Sequence, residues 1–211
     1  MKTKKVLFYL LAGILTGCVP SLHPLFTQKE AVFDEKLTGL WGKDSNDKET
    51  FEFVRAGNDP NSREYTMVYT DKDGKKGEFS AKLGKLGSSM FLDLYPAGKL
   101  ECKTPDFYNI HLLPVHTFMK IEQIEPVLKM AAMKSDKMEK MLKDDPNLIK
   151  FEDLEGGFVL TASTEELQEF IKKHANDEAL FEGIGDLKRV VPKVSEEPNS
   201  IDPNHTSKKT R

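Results

Sequence analysis

The residues best suited to chemistry in this chain are soft sulfurs, two nearby histidines and one acidic turn. Five of the eight methionines fall between Met119 and Met141, and Met130/Met133 repeats the spacing of Met138/Met141. Thioethers suit Cu(I), but methionine at such spacings commonly fills irregular cores, so packing and no metal is the expectation. His111 and His116 are five apart with Pro114 between them. An extended chain puts them on opposite faces, and His116 is expected to be a partly buried or surface polar residue. Asp71-Lys72-Asp73-Gly74, with Glu78 beyond, has the start of a calcium loop. It lacks the acidic positions and the longer spacing to a glutamate that such a loop needs, and it reads instead as a hairpin turn through Asp73-Gly74. Gly-x-Ser-x-Gly, the phosphate loop, His-Glu-x-x-His and Cys-x-x-Cys are all absent, so no catalytic residue and no cofactor is expected. Two cysteines make neither a disulfide framework nor a four-cysteine zinc site.

The first of those cysteines has a context of its own. Met1 to Lys5 carries three lysines and no acid, Val6 to Ile14 is a short apolar run, and Leu15-Thr16-Gly17-Cys18 follows. The run is shorter than the roughly 20 residues that span a bilayer. A basic start, a short apolar run and small residues make a secretory signal.

Leu15-Thr16-Gly17-Cys18 resembles the lipobox of bacterial lipoproteins. That resemblance implies a diacylglycerol on the Cys18 thiol, cleavage before Cys18 and an acyl chain such as palmitate on the new amine. Several chains together hold a protein firmly, whereas one alone holds weakly, at ~0.8 kcal/mol per buried CH2. Val19 in place of an aspartate leans towards the outer membrane, on its periplasmic face. Losing Lys2, Lys4 and Lys5 leaves 28 basic against 34 acidic residues, a net −6. Such a body is repelled by anionic lipid, so membrane attachment rests on the lipid anchor. Nor is there a basic excess to attract nucleic acid. Cys102 remains as a free thiol, expected to be buried.

Residues 18–36 contain little periodicity and read as a lipidated tether that becomes ordered near Val32-Phe33. From Leu37 the apolar period is 2. Leu37–Gly42, Thr50–Val54, Glu64–Thr70, Glu78–Leu83 and Ser89–Tyr95 each have one apolar face. The intervening turns are rich in Gly, Asn, Asp and Pro, so neighbours are expected to be antiparallel. Two more strands are expected at His116–Gln123 and Val127–Met133. A helix capped by Ser135 then runs to Lys143. A hairpin follows at Leu148–Glu152 and Phe158–Ala162, turning at Gly156-Gly157. Ser163-Thr164-Glu165-Glu166 is a capping box, opening a helix whose Leu167, Phe170, Ile171 and His174 share a face. A last short strand is expected at Leu187–Val191, and residues 192–211 read as a disordered tail.

Seven or eight antiparallel strands hide their edges by closing. Gly39-Leu40-Trp41 on the first strand and the helix after the last long strand resemble the Gly-x-Trp signature and layout of the lipocalins. The resemblance implies a mainly β chain over residues 37–191: an up-and-down antiparallel lipocalin-like β-barrel with one or two accessory helices near the C-terminus. It also implies that Trp41 closes one barrel end beneath a basic side chain, for which Arg189 is the candidate. Cys18-Val19-Pro20-Ser21-Leu22-His23-Pro24-Leu25 and Leu160-Thr161-Ala162-Ser163-Thr164-Glu165-Glu166-Leu167 further resemble uncharacterised bacterial lipoproteins, which implies no activity.

An eight-stranded barrel is just wide enough to be filled by its own side chains or to hold one small ligand. Phe51, Phe53, Tyr65, Met67 and Tyr69, expected on inner faces, are the residues that would line a ligand. The sequence thus leaves three readings: a lipid-anchored binding module for a hydrophobic ligand or an envelope protein, a structural or interaction lipoprotein with a filled core, and, ranked last, an enzyme.

Overall fold

The computed structural model describes residues 18–97 and 112–191. Residues 1–17, read above as a signal, Cys102, His111 and residues 192–211 lie outside the described residues. The strands are β1 (Ala31–Val32), β2 (Gly39–Gly42), β3 (Thr50–Arg55), β4 (Glu64–Thr70), β5 (Lys76–Leu86), β6 (Ser89–Pro96), β7 (Thr117–Gln123), β8 (Leu128–Met133), β9 (Phe151–Leu154), β10 (Gly157–Leu160) and β11 (Phe181–Arg189). A 3-10 turn spans Glu35–Leu37, and two helices, α1 (Ser135–Asp144) and α2 (Thr164–His174), lie between β8 and β11.

Each of β2 to β7 pairs antiparallel with the next, β8 pairs with β11, and β11 returns to β2 through Lys188↔Gly42 and Arg189↔Trp41. The result is a closed, up-and-down, eight-stranded barrel of lipocalin-like form, mainly β, with two accessory helices. Closure follows from the short turns, which force antiparallel neighbours, and from the period-2 pattern, which gives every strand an apolar inner face. The turn after β4 is the expected hairpin: Asp71 Oδ1 accepts from the Asp73 and Lys75 N–H groups, and Gly74 sits at φ +81.

Several boundaries differ from expectation for identifiable reasons. The closing strand starts at Phe181, well before Leu187, because Gly183 and Gly185 and a register shift between Gly183 and Asp186 hide its alternation. The hairpin turns at Glu155-Gly156 and forms a separate two-stranded sheet outside the barrel. Ser135 is the first residue of α1 and not its cap; Lys134 precedes it with no side-chain cap. The capping box of α2 is present in both halves, with Ser163 Oγ accepting from Glu166 N–H and the Glu166 carboxylate accepting from Ser163 N–H.

The largest correction concerns residues 18–36. They are not a free tether: Val19, Leu25, Phe26 and Ala31 are buried. Ser21 forms a backbone bridge to His116 on one side and to Leu160 on the other. Pro24 O accepts from Thr164 Oγ1 at 2.7 Å, and Leu25 O accepts from Gln168 Nε2 at 2.9 Å. Phe26 lies over Gly84, where a Cβ would come within 2.4 Å of its ring. The physical reason is long-range backbone pairing, which leaves no periodicity to read.

The described residues form two apolar cores. One fills the barrel. The other joins Val19, Leu25 and Phe26 to both helices and the hairpin, against Phe91, Phe118, Ala131 and Met133 on the barrel's outer wall. The methionines divide between them, Met119 and Met130 inside and Met133, Met138 and Met141 outside, so the repeated spacing is packing in two separate cores. Among the described residues, no helix is long and apolar enough to cross a membrane.

Candidate functional site

The five residues expected to line a ligand lie on two neighbouring strands. Phe53 pairs with Met67 and Phe51 with Tyr69 across β3 and β4, while Tyr65 stands opposite Arg55. Phe53 and Tyr65, at 0% exposure, and Met67, at 2%, belong to the interior core, and Phe51 and Tyr69 pack against it. Phe51 and Tyr69 are half-buried, their ring centroids 5.0 Å apart. The interior also holds Trp41, Leu37, Leu83, Leu92, Leu128 and Met130, all fully or almost fully buried. Two shallow grooves lie elsewhere, one beside Lys134, Lys137 and Glu182 and the other beside Gln28, Asn58 and Arg63. None of the five lines either groove.

One barrel end is sealed by aromatic rings and cations. Trp41 Nε1 donates to Leu37 O at 2.9 Å. The Arg189 guanidinium lies over the indole, 4.5 Å from its centroid. The same group donates to Thr38 O at 2.7 Å and Lys36 O at 2.6 Å, and pairs with Glu125 at 3.0 Å. Gly39 has φ +122, and a Cβ there would meet Arg189 Nη1 at 2.6 Å. The glycine of Gly39-Leu40-Trp41 therefore gives both a left-handed backbone and room for the cation. Beside it, Arg55 lies over Phe33, and Phe33 stacks on Tyr65 at 4.5 Å.

A double-mutant cycle on Trp41→Phe and Arg189→Gln is expected to show a coupling of about 0.5–2 kcal/mol. Urea denaturation of the four proteins measures it, and additive losses would contradict the contact.

The Tyr65 hydroxyl accepts from Asp34 N–H at 2.7 Å and donates to Asp34 O at 3.0 Å. Desolvation pushes this phenol from its usual 10 up to about 12, against a smaller opposing effect of the Asp34 N–H. Burial also raises Tyr69, whose hydroxyl donates to Glu49 Oε1 at 2.6 Å. A raised folded-state value means that Tyr65 contributes its full stability below pH 10 and loses it as pH climbs from 10 towards about 12. The stability gap between the native protein and Tyr65→Phe should therefore be widest at neutral pH and narrow across that window. Denaturant midpoints measured at steps between pH 8 and pH 12 test this; a constant gap would contradict it.

A second polar centre lies on the outer wall, and sequence reasoning missed it. Asp93, on β6, is only 2% exposed. Its Oδ2 accepts from Leu25 N–H at 2.8 Å, and its Oδ1 lies 2.7 Å from His116 Nδ1. The His116 ring packs on Tyr95, 4.5 Å between centroids. Ser21, at 0% exposure, exchanges backbone hydrogen bonds with His116. These are the residue types of a hydrolase triad, but Ser21 is fully buried and its Oγ donates to His23 O at 2.9 Å. The geometry is that of a clasp holding the N-terminal segment to the barrel. One available signal was Phe91, an apolar residue on the outward face of β6, which marks that face as covered.

Cys18 is exposed, and the next residue, Val19, is in the outer core at 2% exposure. Among the described residues, no group of three or more His, Cys, Asp or Glu converges as a metal site would require. No family model, no curated protein and no solved structure matches this chain.

Proposed function

We propose that this chain is a lipoprotein of the cell envelope, anchored through acylated Cys18 on the periplasmic face of the outer membrane. Its filled barrel acts as a binding or structural module that engages an envelope protein through its surface. The observation that carries the choice is the packed interior, where Trp41, Phe53, Tyr65 and Met67 occupy the space that a carried hydrophobic ligand would need. The anchor is supported by the lipobox-like Leu15-Thr16-Gly17-Cys18 and by the exposure of Cys18 at the edge of the folded domain.

Native mass spectrometry of protein extracted from its own membranes tests both halves. The expected species begins at Cys18 and carries diacylglycerol plus one further acyl chain, with no other bound molecule. A retained small hydrophobic molecule would overturn the filled-barrel reading, and an unacylated chain keeping residues 1–17 would overturn the anchor. Cys18→Ser should abolish labelling by a radioactive fatty acid.

A further inference from the structure

We infer that the domain sits directly on the bilayer surface, with the tip of the β9–β10 hairpin against the lipid headgroups. This inference rests on acylation of Cys18. The separation between the lipid-bearing residue and the outer core is one peptide unit, because Val19 is 2% exposed. A free tether of the length of residues 18–36 would wander over roughly 20–25 Å. Here that length is spent on docking, through the Ser21 bridges, the Pro24 and Leu25 carbonyls, Asp93 and the Phe26–Gly84 contact.

The direction in which the domain faces follows from register. Ser21 bridges Leu160 in the parallel sense, with Leu160 N–H donating to Pro20 O and Leu22 N–H to Leu160 O, both at 2.9 Å. Following that register back three residues puts Cys18 level with Gly157. The burial of both Val19 and Phe158 in the same core agrees with it. Gly157 in turn pairs with Leu154. Two strand spacings place Leu154 about 10 Å from Cys18. Leu154 is 56% exposed, and Glu152, Asp153 and Glu155 around it are exposed as well. One apolar side chain among three carboxylates fits a zwitterionic headgroup layer and is repelled by an anionic one. β3 lies four strands from β7 in either direction around the barrel. Val54 on β3, 44% exposed, therefore lies across the barrel from the Ser21–His116 bridge beside β7.

The test uses the acylated full-length protein in phosphatidylcholine vesicles, with Cys102→Ser as background. A nitrobenzoxadiazole label is attached at Leu154→Cys or at Val54→Cys, with rhodamine on the lipid headgroups as energy acceptor. Transfer from position 154 should exceed transfer from position 54 several-fold. Ten Gly/Ser residues inserted between Cys18 and Val19 should erase most of that difference. Equal transfer from the two positions, or a difference that survives the insertion, would overturn the inference. Failure of acylation itself shows separately, as protein that does not float with the vesicles.

Discussion

Phe53→Ala should cost about 3–5 kcal/mol of stability, the range for removing a large aromatic side chain from a packed interior. Phe53 is wholly buried, pairs across the sheet with Met67 and meets the Tyr65 ring edge-on, with 6.3 Å between centroids and an interplanar angle of 88°. Its loss removes apolar burial and leaves a void that eight hydrogen-bonded strands cannot collapse to fill. Urea or guanidinium denaturation with an unchanged slope is the measurement. The result bears on function as well as on stability. In a barrel that carries a ligand, a residue lining the hollow faces space already, and its truncation costs far less. A loss under about 1 kcal/mol would sit outside the range for packed aromatics and would return the hydrophobic-ligand reading to first place.

Asp93→Ala should cost about 3 kcal/mol, with its effect concentrated on the N-terminal segment. The substitution strands the Leu25 N–H without an acceptor and removes the partner of His116. An unsatisfied buried donor costs roughly 1–3 kcal/mol, and here the His116 ring loses its hydrogen-bond partner as well. Asp93→Asn keeps an acceptor for Leu25 and should lose less. Hydrogen exchange should quicken at Leu25 and Phe26 while Met67, inside the barrel, stays protected. If the Ala and Asn variants behave alike, or if exchange rises equally in the interior, Asp93 is not the clasp that its contacts describe.

The barrel was legible because its strands obey one rule. Tyr65, Met67 and Tyr69 point in while Glu64, Thr66 and Val68 point out, and the same alternation recurs from β3 to β6. Trp41 and Arg189 were legible through the lipocalin resemblance, and the cation does lie over the indole. Asp93 was misread by the same alternation that located its strand. It stands between Leu92 and Leu94, where a polar residue normally faces water, but that water is displaced by Leu25. The N-terminal segment was illegible for a different reason. Pro20 and Pro24 break any run, and its partners at Asp93, His116, Leu160 and Thr164 are distant in sequence. Local pattern reading detects a residue's neighbours along the chain and is blind to backbone groups that meet only after folding.

The docked N-terminal segment also sets an order of events during biogenesis. Its hydrogen-bond partners are supplied late, since the bond from Thr164 to Pro24 spans 140 residues and that from Gln168 to Leu25 spans 143. A chain made from its N-terminus first presents Cys18 and its neighbours long before Leu160, Thr164 and Gln168 exist to receive them. The loop that must close is among the longest in the molecule, and contacts of such separation form slowly. Under the acylation proposed for Cys18, the modifying enzymes would thus meet an extended, accessible strand. The finished fold then takes up that strand and leaves Cys18 exposed at the edge of the domain, one residue from the outer core.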